Sequence, residues 1–200
     1  MKNVIFDVGR VLINWDVNTL FLDVIGDQDQ INAFIEETNF FDWNLQLDCG
    51  LSFEEGVKLH SEKFPDYAHI FDAFDKRWVE TVPAAIDESV AILNQLKENN
   101  TPLYAITNFS AEKWVDACQM YPFLASSFID TIVSGEVKIT KPEAAIYQLL
   151  LDRNNLDAKD CIFIDDTQAN VDAACTLGID GILFTSSEQF ESDLQTRGIL

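Results

Sequence analysis

Two short apolar runs in this chain end on aspartate. The first is Val4-Ile5-Phe6-Asp7, near the N-terminus. The second, Cys161-Ile162-Phe163-Ile164, ends on Asp165-Asp166. Apolar runs this short and this sharply bounded read as buried strands. Strand-helix alternation implies right-handed crossovers and a mainly parallel sheet with helices on both faces. Parallel strands bring their C-terminal ends to one edge, where open α/β sheets bind ligands. Three carboxylates meeting there suit a hard cation such as Mg²⁺, and one of them is placed to act as a nucleophile.

The pattern predicts strands over 3–7, 102–107, 128–134, 160–165 and 179–184. Helices are expected from Asp29, after the Ser52-x-x-Glu55 capping box, over 86–98, from Ala111, from Pro142 to about Arg153, over 168–177 and over about 188–196. Gly178 is the expected stop of the helix before it. Residues 17–81 hold no convincing strand and read as helical throughout. Ile70, Phe71, Phe74, Trp78 and Val82 form one stripe there. This region is an insertion between the first strand and the rest of the sheet.

Length and composition narrow the function. The 200 residues suit one α/β domain with a sizeable insertion. A net charge of −21, from 13 basic and 34 acidic residues, opposes nucleic acid and anionic membranes as partners. No apolar run approaches a membrane span, and residues 3–6 read as a core strand rather than part of a signal peptide. Cys49, Cys118, Cys161 and Cys175 match neither a zinc site nor a disulfide framework. Cys161 and Cys175 are expected to be buried thiols, and a reducing, cytoplasmic setting follows.

Four places carry candidate chemistry: Asp7, Thr107-Asn108, Lys141-Pro142 and Asp165-Asp166. Taken singly, each has a plain reading as a turn, strand-end, surface or helix-capping residue. Their order and context resemble the haloacid dehalogenase (HAD) superfamily of phosphohydrolases. The four motifs are matched by Phe6-Asp7-Val8-Gly9-Arg10-Val11-Leu12, Ala105-Ile106-Thr107-Asn108, Lys138-Ile139-Thr140-Lys141-Pro142-Glu143 and Phe163-Ile164-Asp165-Asp166-Thr167. The first motif is similar to an Asp-x-Gly-x-Val group. That group includes bacterial α-D-glucose-1-phosphate phosphatase and is similar to the phosphatase domain of bifunctional epoxide hydrolases.

The resemblance implies an α/β, Rossmann-like core of residues 1–13 and 83–200, with an all-helical cap at 14–82. It also implies a Mg²⁺-dependent phosphomonoesterase acting on a small phosphate ester, and a monomer or weak dimer is expected. Asp7 would attack phosphorus. Metal ligands would be Asp7, the Gly9 carbonyl and the acids Asp165 and Asp166, with Asp166 direct and Asp165 acting through water or by orientation. The Thr107 hydroxyl and the Asn108 amide would bind the phosphoryl group, and Lys141 would neutralise it and restrain Asp7. Arg10 is a candidate phosphate contact, Trp43 and Trp15 are candidate pocket walls, and Asn170 is a candidate brace of the metal site.

The chain departs from the pattern at Gly9, where most such phosphatases carry an acid that protonates the leaving group. Three consequences are open: turnover is slow, another group such as Asp16 or a cap residue supplies the proton, or the substrate is a sugar-1-phosphate, whose anomeric oxygen leaves readily. The insertion holds 15 acidic and 4 basic residues, which disfavours large polyanions such as nucleotides. Two further readings are a metal-independent haloacid dehalogenase, which the Asp165-Asp166 pair opposes, and a non-catalytic protein that binds phosphate ligands.

Overall fold

The computed structural model describes residues 2–200. Five parallel strands form one sheet in the order β3-β2-β1-β4-β5. They are β1 (Asn3–Phe6), β2 (Leu103–Thr107), β3 (Asp130–Val133), β4 (Cys161–Asp165) and β5 (Asp180–Leu183). β1 lies between β2 and β4, with Phe6 opposite Ala105 and Ile164. This register brings Asp7, Asp165 and Asp166 to the C-terminal edge at the centre of the sheet. The order reverses at β1, so the site sits at the topological switch point.

Five helices fill the insertion: α1 (Asn18–Val24), α2 (Gln28–Thr38), α3 (Phe40–Asp48), α4 (Phe53–Lys63) and α5 (Ala68–Lys76). The core helices are α6 (Asp87–Glu98), α7 (Ala111–Met120), α8 (Phe123–Ser126), α9 (Ser134–Val137), α10 (Ala144–Asn154), α11 (Gln168–Thr176) and α12 (Ser187–Thr196). Alternate strand residues feed the two faces of the sheet. Val4, Phe6 and Ile164 pack with Leu93 of α6 and with Phe190 and Leu194 of α12. Ile5 and Phe163 pack on the other face with Ile146 and Leu150 of α10 and Ala174 of α11.

The insertion has an aromatic core. Phe21 meets Phe34 edge to face at 5.3 Å, and Phe40 meets Phe74 at 5.0 Å, both favoured ring geometries. Two chain segments join the insertion to the sheet, and they pair with each other. The Asn14 amide donates to the Ala84 carbonyl, the Asp16 amide to Thr81 and the Ile86 amide to Leu12.

Several expectations change in detail. α2 is capped by Asp27, whose side chain accepts from the Gln30 amide, rather than starting at Asp29. Ser52 does cap α4 through the Glu55 amide, at 3.2 Å. The third strand is shorter than 128–134, because Ser134 already begins α9. Pro142 does not occupy the first turn of a helix. Glu143 is the N-cap of α10, so Pro142 shapes the loop that carries Lys141. Cys161 is buried but Cys175 is exposed, because α11 turns Val171 and Ala174 inward. No helix of the described residues is long and apolar enough to cross a membrane.

Candidate active site

Asp7, the residue after β1, is only 7% exposed. Its Oδ1 accepts from the Val8 amide at 2.6 Å and from the Lys141 ammonium at 2.8 Å. Two donors on one oxygen stop the carboxylate rotating and so set the direction of Oδ2. The Lys141 Nζ also lies 2.7 Å from Asp165 Oδ2, and Lys141 and Asp165 are 3% and 0% exposed. A lysine shared by two buried carboxylates is a strong electrostatic clamp.

Each member of the clamp is held from behind. The Asn108 side chain takes the Lys141 backbone with both polar atoms. Its Nδ2 donates to the Lys141 carbonyl at 3.0 Å, and its Oδ1 accepts from the Lys141 amide at 2.8 Å. Asp165 accepts from the Thr167 amide and, on both oxygens, from Asn170 Nδ2. The Tyr147 hydroxyl donates to the Asn170 carbonyl. Sequence reasoning placed Asn108 and Asn170 near the site but missed the Tyr147 support, which depends on α10 packing beside α11.

The charges follow from this crowding. Burial pushes the Asp7 carboxyl up to about 7, against the pull of Lys141 and with Asp165 adding repulsion. Burial alone would depress Lys141, but attraction to Asp7 and Asp165 outweighs it and raises the ammonium. Oxygens of Asp7, Asp165 and Asp166 all lie within 4.8 Å of one another. Three hard oxygen donors beside an open cavity fit Mg²⁺, which keeps some of its waters. Asp166 is the acid best placed to reach a cation, since the Asp165 oxygens are already committed to Lys141, Thr167 and Asn170.

A cavity of about 500 Å³ opens above this edge and beneath the insertion. Asp7, Gly9, Arg10, Asn108, Lys141, Asp166 and Asn170 line its floor. Trp15, Phe41, Leu45 and Trp78 supply apolar wall, and Asp42, Asn44 and Asp48 supply polar wall. Arg10 lies 3.7 Å from Asp166 and stacks over Trp15 at 5.1 Å.

Three expected positions differ. Trp43 does not line the cavity. It is 2% exposed, donates to the Gly56 carbonyl and stacks on His60 inside the insertion. The helical period explains this: Phe40, Trp43 and Leu47 face inward, while Phe41, Leu45 and Asp48 form a second stripe toward the cavity. That second stripe was the available signal for the wall. Thr107 ends β2 but is buried, and Asn108, Phe109 and Ser110 line the cavity instead. Asp16 is exposed, with its carboxylate on the Asn18 amide at the start of α1, outside the cavity lining.

A family model described as haloacid dehalogenase-like hydrolase matches residues 44–184. The chain belongs to this family. Among solved structures, a HAD family enzyme of Bacteroides thetaiotaomicron superposes with a TM-score of 0.79 at 24% identity, covering 97% of this chain and 98% of that one. The same enzyme in complex with magnesium and inorganic phosphate gives a TM-score of 0.76 at 26% identity, over 92% of this chain and 94% of that one. An L-2-haloacid dehalogenase gives a TM-score of 0.66 at 16% identity, over 90% and 85% of the two chains, a likeness of fold. A curated relative, flavin mononucleotide hydrolase 1 of Arabidopsis thaliana, is 26% identical over 57% of this chain and 46% of its own length. The chain thus spans under half the length of that relative. As a HAD family hydrolase the protein is an enzyme.

Proposed function

We propose that the protein is a Mg²⁺-dependent phosphomonoesterase working through an aspartyl-phosphate on Asp7. The observation that carries this reading is the buried Asp7–Lys141–Asp165 clamp with Asp166 beside it. Asp7 attacks phosphorus through Oδ2, because Oδ1 is held by Val8 and Lys141. The Lys141 ammonium keeps that geometry and offsets the charge of the arriving phosphoryl group. Asp165 holds Lys141, and Asn108 fixes its backbone. Mg²⁺ held by Asp7, Asp166 and the Gly9 carbonyl would screen nucleophile from phosphate and steady the phosphoryl oxygens. Arg10 and the loop after Thr107, which lines the cavity from Asn108 to Ser110, are the proposed phosphate contacts. The relative solved with magnesium and inorganic phosphate supports the same chemistry.

The insertion acts as the cap that selects the substrate, and a sugar phosphate such as a sugar-1-phosphate is the proposed class. Trp15 and Phe41 offer flat apolar faces for a sugar ring, and Asp42 and Asn44 offer polar groups at the rim. A cytoplasmic setting belongs to this reading as a proposal.

The test is hydrolysis of p-nitrophenyl phosphate with Mg²⁺ or with EDTA, by the native protein and by Asp7→Asn. Turnover is expected only with Mg²⁺ and only with Asp7 intact. Dehalogenation of a 2-haloacid that survives EDTA would overturn the reading in favour of the metal-independent alternative.

A further inference from the structure

Residue 9 carries no side chain, yet a phosphate ester with a poor leaving group needs a proton at its departing oxygen. The cavity lining holds four acids: Asp7, Asp42, Asp48 and Asp166. Asp7 and Asp166 are committed to nucleophile and metal. Asp42 is exposed, and its Oδ2 takes the Asn39 side chain. Asp48 is different in kind. It ends α3 on the cavity stripe, half-buried, and burial pushes its carboxyl up to about 7 against the donors from the Ser110 backbone and the Asn44 side chain. The Asn44 Nδ2 donates to Asp48 Oδ2 at 2.9 Å.

Asp48 is also tied to the catalytic floor. The Ser134 hydroxyl donates to the Asp48 carbonyl at 2.5 Å and accepts from the Phe109 amide at 2.8 Å. Phe109 follows Asn108, which clamps Lys141. A hydrogen-bonded path therefore fixes the end of α3 against the loop that positions the nucleophile's lysine. An acid on a mobile cap would lose its register with Asp7, and this one is anchored.

We propose that Asp48 is the acid and base of the reaction, supplied from the insertion in place of the carboxylate that residue 9 lacks. The proposal rests on the phosphatase reading above. As Asp7 Oδ2 bonds to phosphorus and the ester P–O bond breaks, the leaving oxygen takes the proton of Asp48. The Asp48 carboxylate then takes a proton from water as that water's oxygen bonds to phosphorus. The Asp7–phosphorus bond breaks, inorganic phosphate leaves, and both aspartates return to their starting state.

The test compares two esters on native protein and Asp48→Asn, with Mg²⁺. The p-nitrophenolate group leaves without a proton, while a primary alkyl phosphate needs one. Asp48→Asn is expected to lower kcat/KM on the alkyl ester by about a hundredfold more than on p-nitrophenyl phosphate, and to slow hydrolysis of the aspartyl-phosphate that both share, seen as a burst of p-nitrophenolate followed by slow turnover. Equal losses of kcat/KM on both esters with no burst, or a raised KM with unchanged kcat, would overturn the proposal, the latter pointing to a substrate-binding role. If the variant does not fold, the native protein still decides through a series of aryl and alkyl phosphates. A shallow dependence of kcat/KM on leaving-group acidity supports proton donation, and a steep one refutes it. No turnover of p-nitrophenyl phosphate by native protein with Mg²⁺ would instead count against the phosphatase reading itself.

Discussion

Lys141 is at most 3% exposed, and it stands between two buried carboxylates, Asp7 and Asp165. Removing it strands buried negative charge, and breaking such a pair costs more than the pair contributes. Lys141→Met is therefore expected to lose about 3–5 kcal/mol in urea unfolding at neutral pH, along with activity. Asp48 gives a prediction of the opposite sign. Unfolded, its carboxyl titrates near about 4, while in the fold it holds its proton up to about 7. Between those values the folded state binds the extra proton, so this group lowers stability as pH rises. In urea unfolding, Asp48→Asn should match the native protein near pH 3, where both states are protonated, and exceed it at pH 8. A variant less stable than native at both would show that the Ser110 and Asn44 contacts outweigh the burial cost.

At the scale of elements, the site depends on how closely three loops approach the sheet edge. α9 packs against the loop after β2, and Gly135 makes that approach possible. A Cβ there would lie 2.5 Å from the Ala111 nitrogen and 2.8 Å from the Phe109 carbonyl oxygen, both backbone atoms that cannot rotate away. Gly135→Ala is expected to cost about 1–3 kcal/mol and to lower kcat, because the displaced loop carries Asn108. Gly9 is the contrast, since a Cβ there meets nothing within 4 Å. Gly9→Ala should unfold within about 0.5 kcal/mol of native, as checked by urea titration. The absence of an acid at residue 9 therefore does not come from lack of room.

For the whole molecule, charge and metal pull in opposite directions. The net charge of −21 makes the compact state repel itself, so the melting temperature should rise from low to moderate NaCl as screening sets in. Mg²⁺ binding only to the folded state should stabilise by about 2.7 kcal/mol at a hundredfold excess over Kd. A thermal shift series reads this directly. Asp166→Asn should abolish the Mg²⁺ shift while keeping the salt shift, because it removes a ligand and not the overall charge.

The sequence by itself determined the parallel sheet and the helical insertion, and it singled out Asp7, Lys141, Asp165 and Asp166 as candidates. The sheet and insertion rest on strand and helix period, the aspartates on their place at strand ends, and Lys141 on its place in a motif that resembles the HAD pattern. The five strands fell within a few residues of their positions because buried parallel strands are continuous apolar runs with sharp ends. Only the tertiary structure decided which polar groups meet. Asn108 turned out to hold the Lys141 backbone, Asp165 to be spent on Lys141 and Asn170, and Trp43 to fill the insertion while Phe41 faces the cavity. Asp48 lies far from Ser134 along the chain and is joined to it by one hydrogen bond. Such contacts depend on how helices rotate and dock, which a local pattern does not encode. A helix with apolar residues on two stripes, as in α3, can bury either one, and packing against α4 and α5 selects Phe40, Trp43 and Leu47.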